Sequence, residues 1–314
     1  MMTSKADQEL TTFILDEWKR PVPDAVNQAA RAVADKFGDC VSGILFYGSC
    51  LRTGDIEEKV LDFYVIVDSY KEAYKKRWLA IANQICPPNV FYHEQEVAGM
   101  TVRCKYAVLS RSDFAFRVRP ECLNVSVWAR FCQPCILLLP KDEMTKQSIA
   151  GDVAQAMKTM INNLLELIPG ATNSRDLWVE AFEQTYAAEL RSERRGKGLE
   201  IYLLDQDRYD ALTALAEEAM GIVPGPIPPI KQPPRTERVV PRLKWFARRC
   251  NGKFVSFMRL VKAAMTFDGG IDYLAWKIKR HSGVEITVTD RMRRHPILSG
   301  ISLFWGLKRK GAFK

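Results

Sequence analysis

The chain has 314 residues, 47% of them hydrophobic and 26% charged, and its formal net charge is +9. This composition is typical of a globular protein, and the length favours about two domains. No stretch approaches the roughly 20 apolar residues that a membrane-spanning helix needs, and the first residues lack the pattern of a signal peptide. We therefore expect a cytoplasmic protein without membrane-spanning helices.

The charge is distributed unevenly along the chain. Residues 235–314 contain 19 Lys and Arg against five acids, a net charge of +14, so the other 234 residues carry −5. An acidic body with a strongly basic C-terminal part indicates a polyanionic partner, either nucleic acid or an anionic membrane. The eight cysteines are expected to be reduced, and Cys132 and Cys135 lack the further ligands that a zinc site needs.

The first part of the chain alternates helical and strand patterns, which predicts a mixed-sheet α/β domain over residues 1–140. A helix is predicted first and is followed by the strands, with further helices between them. The predicted helices span 23–37, 71–85 and 120–131, and the predicted strands span 42–49, 60–68, 89–97, 101–110 and 135–139.

The rest of the chain is predicted to be mainly helical. Residues 141–220 form a predicted helical domain, and residues 221–242 form a Pro-rich linker, which favours an extended connection. The basic region 243–314 begins with an amphipathic helix whose apolar face is formed by Phe254, Phe257, Met258, Val261 and Met265. A second helix over 269–283 and a strand over 284–289 follow.

One short stretch in the α/β domain has the residue types of a nucleotide site. Gly48-Ser49 ends an apolar strand, and Asp62 lies near the start of the next one. A glycine lets backbone N–H groups approach phosphates closely, and a carboxylate supplies a hard oxygen ligand for Mg²⁺. The nucleotidyltransferase pattern has an acid two residues after the first, where this chain has Tyr64.

A second metal ligand is therefore needed from elsewhere. Asp68 is predicted on the same strand face as Asp62, but roughly 20 Å away along a straight strand, so the two share an ion only if the strand bends. We keep Asp68 as a candidate metal ligand beside Asp62. The alternatives are acids of the intervening loop and of a later strand: Asp55, Glu57, Glu58, Glu94 and Glu96.

Downstream motifs extend the pattern. The strand with Asp62 ends in Val-Asp, and Cys-Lys-Tyr-Ala-Val and Trp-Ala-Arg-Phe-Cys-Gln-Pro follow at 104–108 and 128–134. Over residues 40–140 the chain resembles the mitochondrial-type phosphatidate cytidylyltransferases, the translocator assembly and maintenance proteins of the nucleotidyltransferase superfamily. That family also lacks the second acid. This chain departs from the family pattern at Ala107, Ala129 and Gln133.

The resemblance implies roles for five residues. Gly48 and Ser49 would form the phosphate turn, and Asp62 would bind the metal and act in catalysis. Lys105 would lie beside the triphosphate as a catalytic and nucleotide-binding residue, and Arg130 would bind the nucleotide. The implied reaction joins CTP to phosphatidate with Mg²⁺, giving CDP-diacylglycerol and pyrophosphate. The alternatives are another acceptor, or an inactive module that binds nucleotide or nucleic acid.

The basic C-terminal region suggests where such an enzyme would act. Residues 296–307 are apolar, contain Phe304 and Trp305, and have basic flanks, which favours contact with an anionic bilayer. A buried C-terminal helix is the alternative. We find no nucleic-acid recognition motif, so nucleic acid is not the expected partner. The expected location is the cytoplasmic face of the cell membrane, as a peripheral protein.

Overall fold

The computed structural model describes residues 5–57, 59–167, 173–189, 196–221, 239–266, 275 and 287–294. The strands are β1 (Val41–Tyr47), β2 (Val60–Val67), β3 (Asn89–Val97), β4 (Met100–Ser110) and β5 (Cys135–Leu138). The helices before β5 are α1 (Lys5–Glu17), α2 (Asp24–Ala34), α3 (Ser49–Thr53), α4 (Tyr70–Ala73), α5 (Arg77–Ile85), α6 (Arg111–Arg117) and α7 (Trp128–Phe131). After β5 come α8 (Glu143–Leu167), α9 (Ser174–Ala188), α10 (Lys197–Leu204), α11 (Gln206–Ala219), α12 (Val239–Thr266) and α13 (Asp290–Arg294).

The five strands form one mixed sheet in the order β3-β4-β2-β1-β5. β2 and β4 run parallel, and the other neighbouring pairs are antiparallel. Each of the five strands predicted within residues 1–140 is present, which confirms an α/β domain followed by a mainly helical region. β1 and β2 are buried almost throughout, because they lie in the middle of the sheet with helices on both faces.

Two predicted helices differ from the structure. The segment predicted as one helix over 71–85 is broken into α4 and α5, with the buried Tyr74 at the break. Of the helix predicted over 120–131, only α7 is formed. The preceding residues are held in a turn, in which Asn124 accepts hydrogen bonds from the backbone and hydroxyl of Ser126. Local side-chain bonds of this kind compete with helix formation.

The sheet register brings three site positions into one row. Tyr47 on β1 lies opposite Asp62 on β2, and Asp62 lies opposite Lys105 on β4. Side chains at paired positions share a sheet face, so all three point to the same side. On that side the ring of Phe131 from α7 contacts Tyr47 and Tyr64, whereas α2 packs on the sheet from the other side, where Phe37 contacts Tyr106.

The basic C-terminal region begins as part of the body. α12 starts within the predicted linker, at Val239, and packs against α8, α9 and β3. Trp245 is buried and donates from Nε1 to the carbonyl of Asn163 at 3.2 Å. Arg248 is buried between the rings of Trp128 and Trp245 and donates to Asn163 Oδ1 at 2.7 Å.

The predicted apolar face of this helix does not point inward. Phe254, Phe257 and Met258 are exposed, and the side chains at positions 261 and 265 lie outside the described part. The segment predicted as a helix over 269–283 is described only at residue 275, which is helical. The strand predicted over 284–289 is described only at residues 287–289, which are not in a strand. The interfacial segment predicted over 296–307 lies outside the described part. Among the described residues, no helix is both long and apolar enough to cross a membrane.

We predict that Trp245→Ala destabilises the protein, because α12 is anchored to the body through this side chain. Removing a buried Trp costs about 3–5 kcal/mol of unfolding free energy. Phe246→Ala is the matched control, since Phe246 is the next residue and is 62% exposed. Urea unfolding measures both variants. Equal stability of the two variants would contradict the packing of α12.

Candidate active site

The turn at Gly48 lies directly against the carboxylate of Asp62. Gly48 follows β1 with a φ of 93° and a ψ of −164°, a conformation that side chains strongly disfavour. A Cβ at this position would lie 2.8 Å from Asp62 Oδ2 and 3.3 Å from Asp62 Cβ. Glycine is therefore required both for the backbone angle and for the close approach, and Ser49 follows as the first residue of α3.

Lys105 fixes the other side of the same carboxylate. Its Nζ lies 3.0 Å from Asp62 Oδ1, and the Lys105 side chain is 40% exposed. This ion pair follows directly from the register, in which the two residues face each other on β2 and β4. Lys105 does not line the adjoining cavity, and it reaches the site through its ion pair with Asp62.

Arg130 enters the site from α7. Its guanidinium lies over the ring of Tyr47, 5.1 Å from the centroid. Burial by itself lowers the pKa of this guanidinium, but Tyr47 and the neighbouring carboxylates raise it above its ordinary value, so Arg130 stays charged. Its Nε is buried and has no hydrogen-bond partner within the described part of the chain. A buried donor of this kind is suited to an anionic ligand.

These residues surround a polar cavity of about 320 Å³. Its lining contains Gly48, Ser49, Asp62 and Arg130 of the sequence-predicted site. The structure therefore brings these four together. The cavity also contains charged residues that the sequence motifs did not single out as site residues, namely Arg52 and Glu189. Its remaining lining is Tyr47, Ser126, Ala129, Gln133, Pro134, Thr185, Tyr186 and Lys197.

Arg52 and Lys197 bring two further cations to the cavity. Arg52 on α3 donates from Nη1 to Gln133 Oε1 at 3.0 Å, so the two sides of the cavity are joined. Lys197 belongs to a basic turn in the sequence, and its neighbours Arg194 and Arg195 lie outside the described residues. Glu183 holds this turn by accepting hydrogen bonds from the backbone N–H groups of Gly196 and Gly198 at 3.0 and 3.2 Å.

The structure does not bring Asp68 to Asp62. Asp68 follows the opposite end of β2, roughly 20 Å along the strand, and outside the cavity lining. It accepts from Ser42 Oγ and from Lys141 Nζ, each at 2.6 Å. Burial alone would raise the pKa of the Asp68 carboxyl, but the hydrogen bonds from Lys141 and Ser42 hold this pKa below its ordinary value. Because Asp68 is bonded to Ser42 and Lys141 and does not line the cavity, we propose no role for it as the second metal ligand.

The alternative second ligands are engaged elsewhere or lie outside the described part. Asp55 pairs with Lys59 at 2.5 Å, and Glu94 pairs with Arg103 at 2.9 Å. Glu96 accepts from Thr101 at 2.5 Å, Glu57 is exposed, and position 58 is not described. Within the described ranges no group of three or more acids, histidines or cysteines is arranged to hold a metal ion.

The site fits a metal ion that is held mainly by its substrate. Mg²⁺ is commonly bound by one or two carboxylates together with phosphate oxygens and water. Asp62 offers one carboxylate at the cavity floor, and Glu189 is the other acid among the described lining residues. The donor set therefore suits Mg²⁺ bound to a triphosphate rather than a metal held by the protein alone.

Comparisons with known proteins add little. No protein-family model matches the chain, and no curated protein matches it. Among solved structures, it is similar to a nucleotidyltransferase-like protein from Exiguobacterium sibiricum 255-15, with a TM-score of 0.26 and 10% sequence identity. The match covers 91% of this chain and 92% of that one. The likeness is distant, so the function is proposed from the residues of the site.

We predict that Gly48→Ala lowers the affinity for Mg²⁺-CTP, the ligand that the sequence resemblance implies, because its Cβ would displace the Asp62 carboxylate. Gly54→Ala is the matched control: Gly54 also has a positive φ, 69°, but a Cβ there meets nothing within 4 Å. Gly54→Ala carries backbone strain of about 1–2 kcal/mol, and Gly48→Ala, with a ψ of −164°, about 1–3 kcal/mol. Calorimetric titration with Mg²⁺-CTP should show weakened binding for Gly48→Ala alone. Equal loss in both variants would mean that the Asp62 contact is unimportant.

Proposed function

We propose that the chain is a Mg²⁺-dependent nucleotidyltransferase that transfers a cytidylyl group from CTP to phosphatidate. The observation that carries this proposal is the position of Asp62. Its carboxylate lies against the Gly48 turn, in a cavity that also contains Arg52, Arg130 and Lys197. Three cations that share a cavity with the acids Asp62 and Glu189 suit a ligand with several phosphate groups, although Lys197 also pairs with Glu200 at 2.5 Å.

The cavity residues would position the triphosphate. Arg130 lies over the ring of Tyr47, and its buried Nε is a donor for a phosphate oxygen. Arg52 from α3 and Lys197 from α10 line the same cavity. Backbone N–H groups at Gly48 and Ser49 and the Ser49 hydroxyl are further donors. Rigidly placed donors of this kind stabilise charge that develops on phosphate oxygens without reorganising during the reaction.

Lys105 acts on the reaction through Asp62. The Lys105 ion pair holds Oδ1, which fixes the orientation of the carboxylate and leaves Oδ2 at the Gly48 turn. Asp62 would hold Mg²⁺ together with phosphate oxygens, and the ion supplies charge neutralisation when bound. We therefore assign Lys105 as a positioning residue rather than a direct ligand of the triphosphate.

The chemical step needs no strong general base. A phosphate oxygen of phosphatidate, already ionised at neutral pH, forms a bond to the α-phosphorus of CTP. The bond between that phosphorus and the oxygen bridging to the β-phosphorus breaks, and pyrophosphate leaves with the electron pair. Catalysis then consists of positioning and charge stabilisation, which matches a cavity without a described histidine.

The choice of CTP and phosphatidate is supported by the resemblance of residues 40–140. It includes Gly48, Ser49, Asp62, Lys105 and Arg130, of which all but Lys105 line the cavity. A lipid acceptor would place the protein at the inner face of the cell membrane as a peripheral protein. A nucleotidyltransferase with another acceptor would use the same cavity for its triphosphate.

A second candidate is a nucleotide-binding module without catalysis. It is favoured by one observation: among the described residues, Asp62 has no second acid beside it on the sheet, and its carboxylate is paired with Lys105. Such a protein would bind a triphosphate through the same cations but would not transfer the nucleotide. Turnover therefore separates this candidate from the enzyme.

We predict that purified protein transfers label from α-labelled CTP to phosphatidate vesicles when Mg²⁺ is present. Asp62→Asn should lower lipid-phase label on the order of 100-fold or more, because it removes the metal-binding charge. Asp68→Asn is the matched control and should keep activity, since Asp68 belongs to the Ser42 and Lys141 contacts at the other end of β2.

The other outcomes identify the alternatives. Label transferred to a different phosphate acceptor, and lost in Asp62→Asn, would show a nucleotidyltransferase with another substrate. Binding of CTP in calorimetry without turnover of any acceptor would support the binding module. Equal activity of Asp62→Asn and Asp68→Asn would contradict the assignment of Asp62.

A further inference from the structure

Helix α12 presents a continuous apolar stripe to solvent. The exposed residues recur at helical spacing on the side opposite the buried Trp245, Arg248 and Gly252, and their exposed fractions range from 39% to 65%. They are Val239, Val240, Leu243, Phe246, Phe254, Phe257 and Met258. Cys250 is also exposed and lies in the middle of this stripe. A helix that is packed against a body normally buries its apolar side, so this orientation needs an explanation.

Helix α5 carries a second exposed stripe. Trp78, Ile81 and Ile85 are spaced by three and four residues and are 45%, 52% and 79% exposed. The opposite side of the helix contains the buried Asn83, which donates to the carbonyl of Val108 at 2.9 Å. Large apolar patches on a protein surface mark sites of interaction.

Helix α12 is bonded to the residues that follow α5. Arg259 Nε donates to the carbonyl of Pro87 at 2.8 Å, and Lys262 Nζ donates to the carbonyls of Cys86 and Pro88. These acceptors directly follow Ile85, the last residue of α5. These inward-pointing cations of α12 thus attach the helix to the chain that directly follows α5.

The charged residues of α12 are of one sign, although Lys244 pairs with Glu166 of α8 at 3.0 Å. The 28 residues of α12 include seven Lys or Arg and no acid. Arg242, Arg249 and Lys253 are exposed along one flank of the α12 stripe, while Arg248, Arg259 and Lys262 bind inward. Lys75, Lys76 and Arg77 are exposed at the start of α5.

We propose that the exposed sides of α5 and α12 form one docking surface for an anionic phospholipid bilayer. Phe and Trp beside exposed cations suit the boundary between headgroups and acyl chains, and each cation adds attraction to anionic lipids. The excess of exposed cations on α12 and at the start of α5 favours this partner. This surface is separate from the interfacial segment predicted over residues 296–307. The proposal does not depend on whether the acceptor of the reaction is a lipid or a soluble phosphate compound.

Vesicle co-sedimentation of the full chain without nucleotide tests the surface. Vesicles of phosphatidylglycerol mixed with phosphatidylcholine should bind the protein, and phosphatidylcholine alone should bind it weakly. Two triple variants remove the stripes: Phe246→Ser, Phe254→Ser and Phe257→Ser on α12, and Trp78→Ser, Ile81→Ser and Ile85→Ser on α5. Each should lower the partition coefficient about tenfold or more.

A matched control uses equally exposed apolar residues elsewhere. Met144→Ser, Leu203→Ser and Leu204→Ser change side chains that are 79%, 58% and 54% exposed, and binding should stay unchanged. Replacing Arg242, Arg249 and Lys253 with Gln should weaken binding to the anionic vesicles by about fivefold per residue, in a salt-dependent way.

A second measurement leaves the apolar stripe unsubstituted. Cys250 is the exposed cysteine among the described ones, so an environment-sensitive fluorophore can be attached there. Anionic vesicles should shift its emission to the blue. The proposal is overturned if wild-type protein does not bind anionic vesicles, if the control variant loses binding equally, or if the fluorophore does not respond. It is also overturned if sedimentation shows a dimer that the stripe variants dissociate.

Discussion

The close approach of Gly48 to Asp62 is the constraint on which the site depends. Any other residue at position 48 would place a Cβ within 2.8 Å of Asp62 Oδ2. The end of β1, the start of β2 and the Lys105 ion pair are therefore positioned together, because each limits where the carboxylate can lie. The cavity floor is formed at the point where these three elements meet.

Tyr64 shows why the second acid of the superfamily pattern is absent here. Its buried ring lies 5.5 Å from that of Tyr47 and 5.2 Å from that of Phe131. An acid at this position would place a charge in an aromatic cluster at a large desolvation cost. The cluster instead supports α7, which carries Arg130 over Tyr47. The strand position thus serves packing, and it acts on the site only through the placement of Arg130.

The sequence predicted the sheet well because strand periodicity and local turn chemistry are properties of neighbouring residues. Gly48 and Asp62 were indicated by residue type and spacing, whereas Lys105 and Arg130 were implied only by the family resemblance. Arg52, Lys197 and Glu189 reach the cavity from elements far apart in the chain, so no local pattern identified them as a set. The contacts of Asp68 with Ser42 and Lys141 likewise depend on tertiary structure, so the sequence did not reveal them.

The orientation of α12 has a physical cause that its amphipathic pattern could not reveal. Turns at 86–88 and 120–122 present backbone carbonyls to the helix, and such acceptors are costly when buried without donors. Arg248 binds the carbonyls of Pro120 and Cys122, while Arg259 and Lys262 bind those of residues 86–88. Satisfying these carbonyls turns the side of α12 with Arg248, Arg259 and Lys262 inward. Because the apolar residues occupy the opposite side, the same interactions that attach α12 to the body expose its Phe side chains to the surroundings.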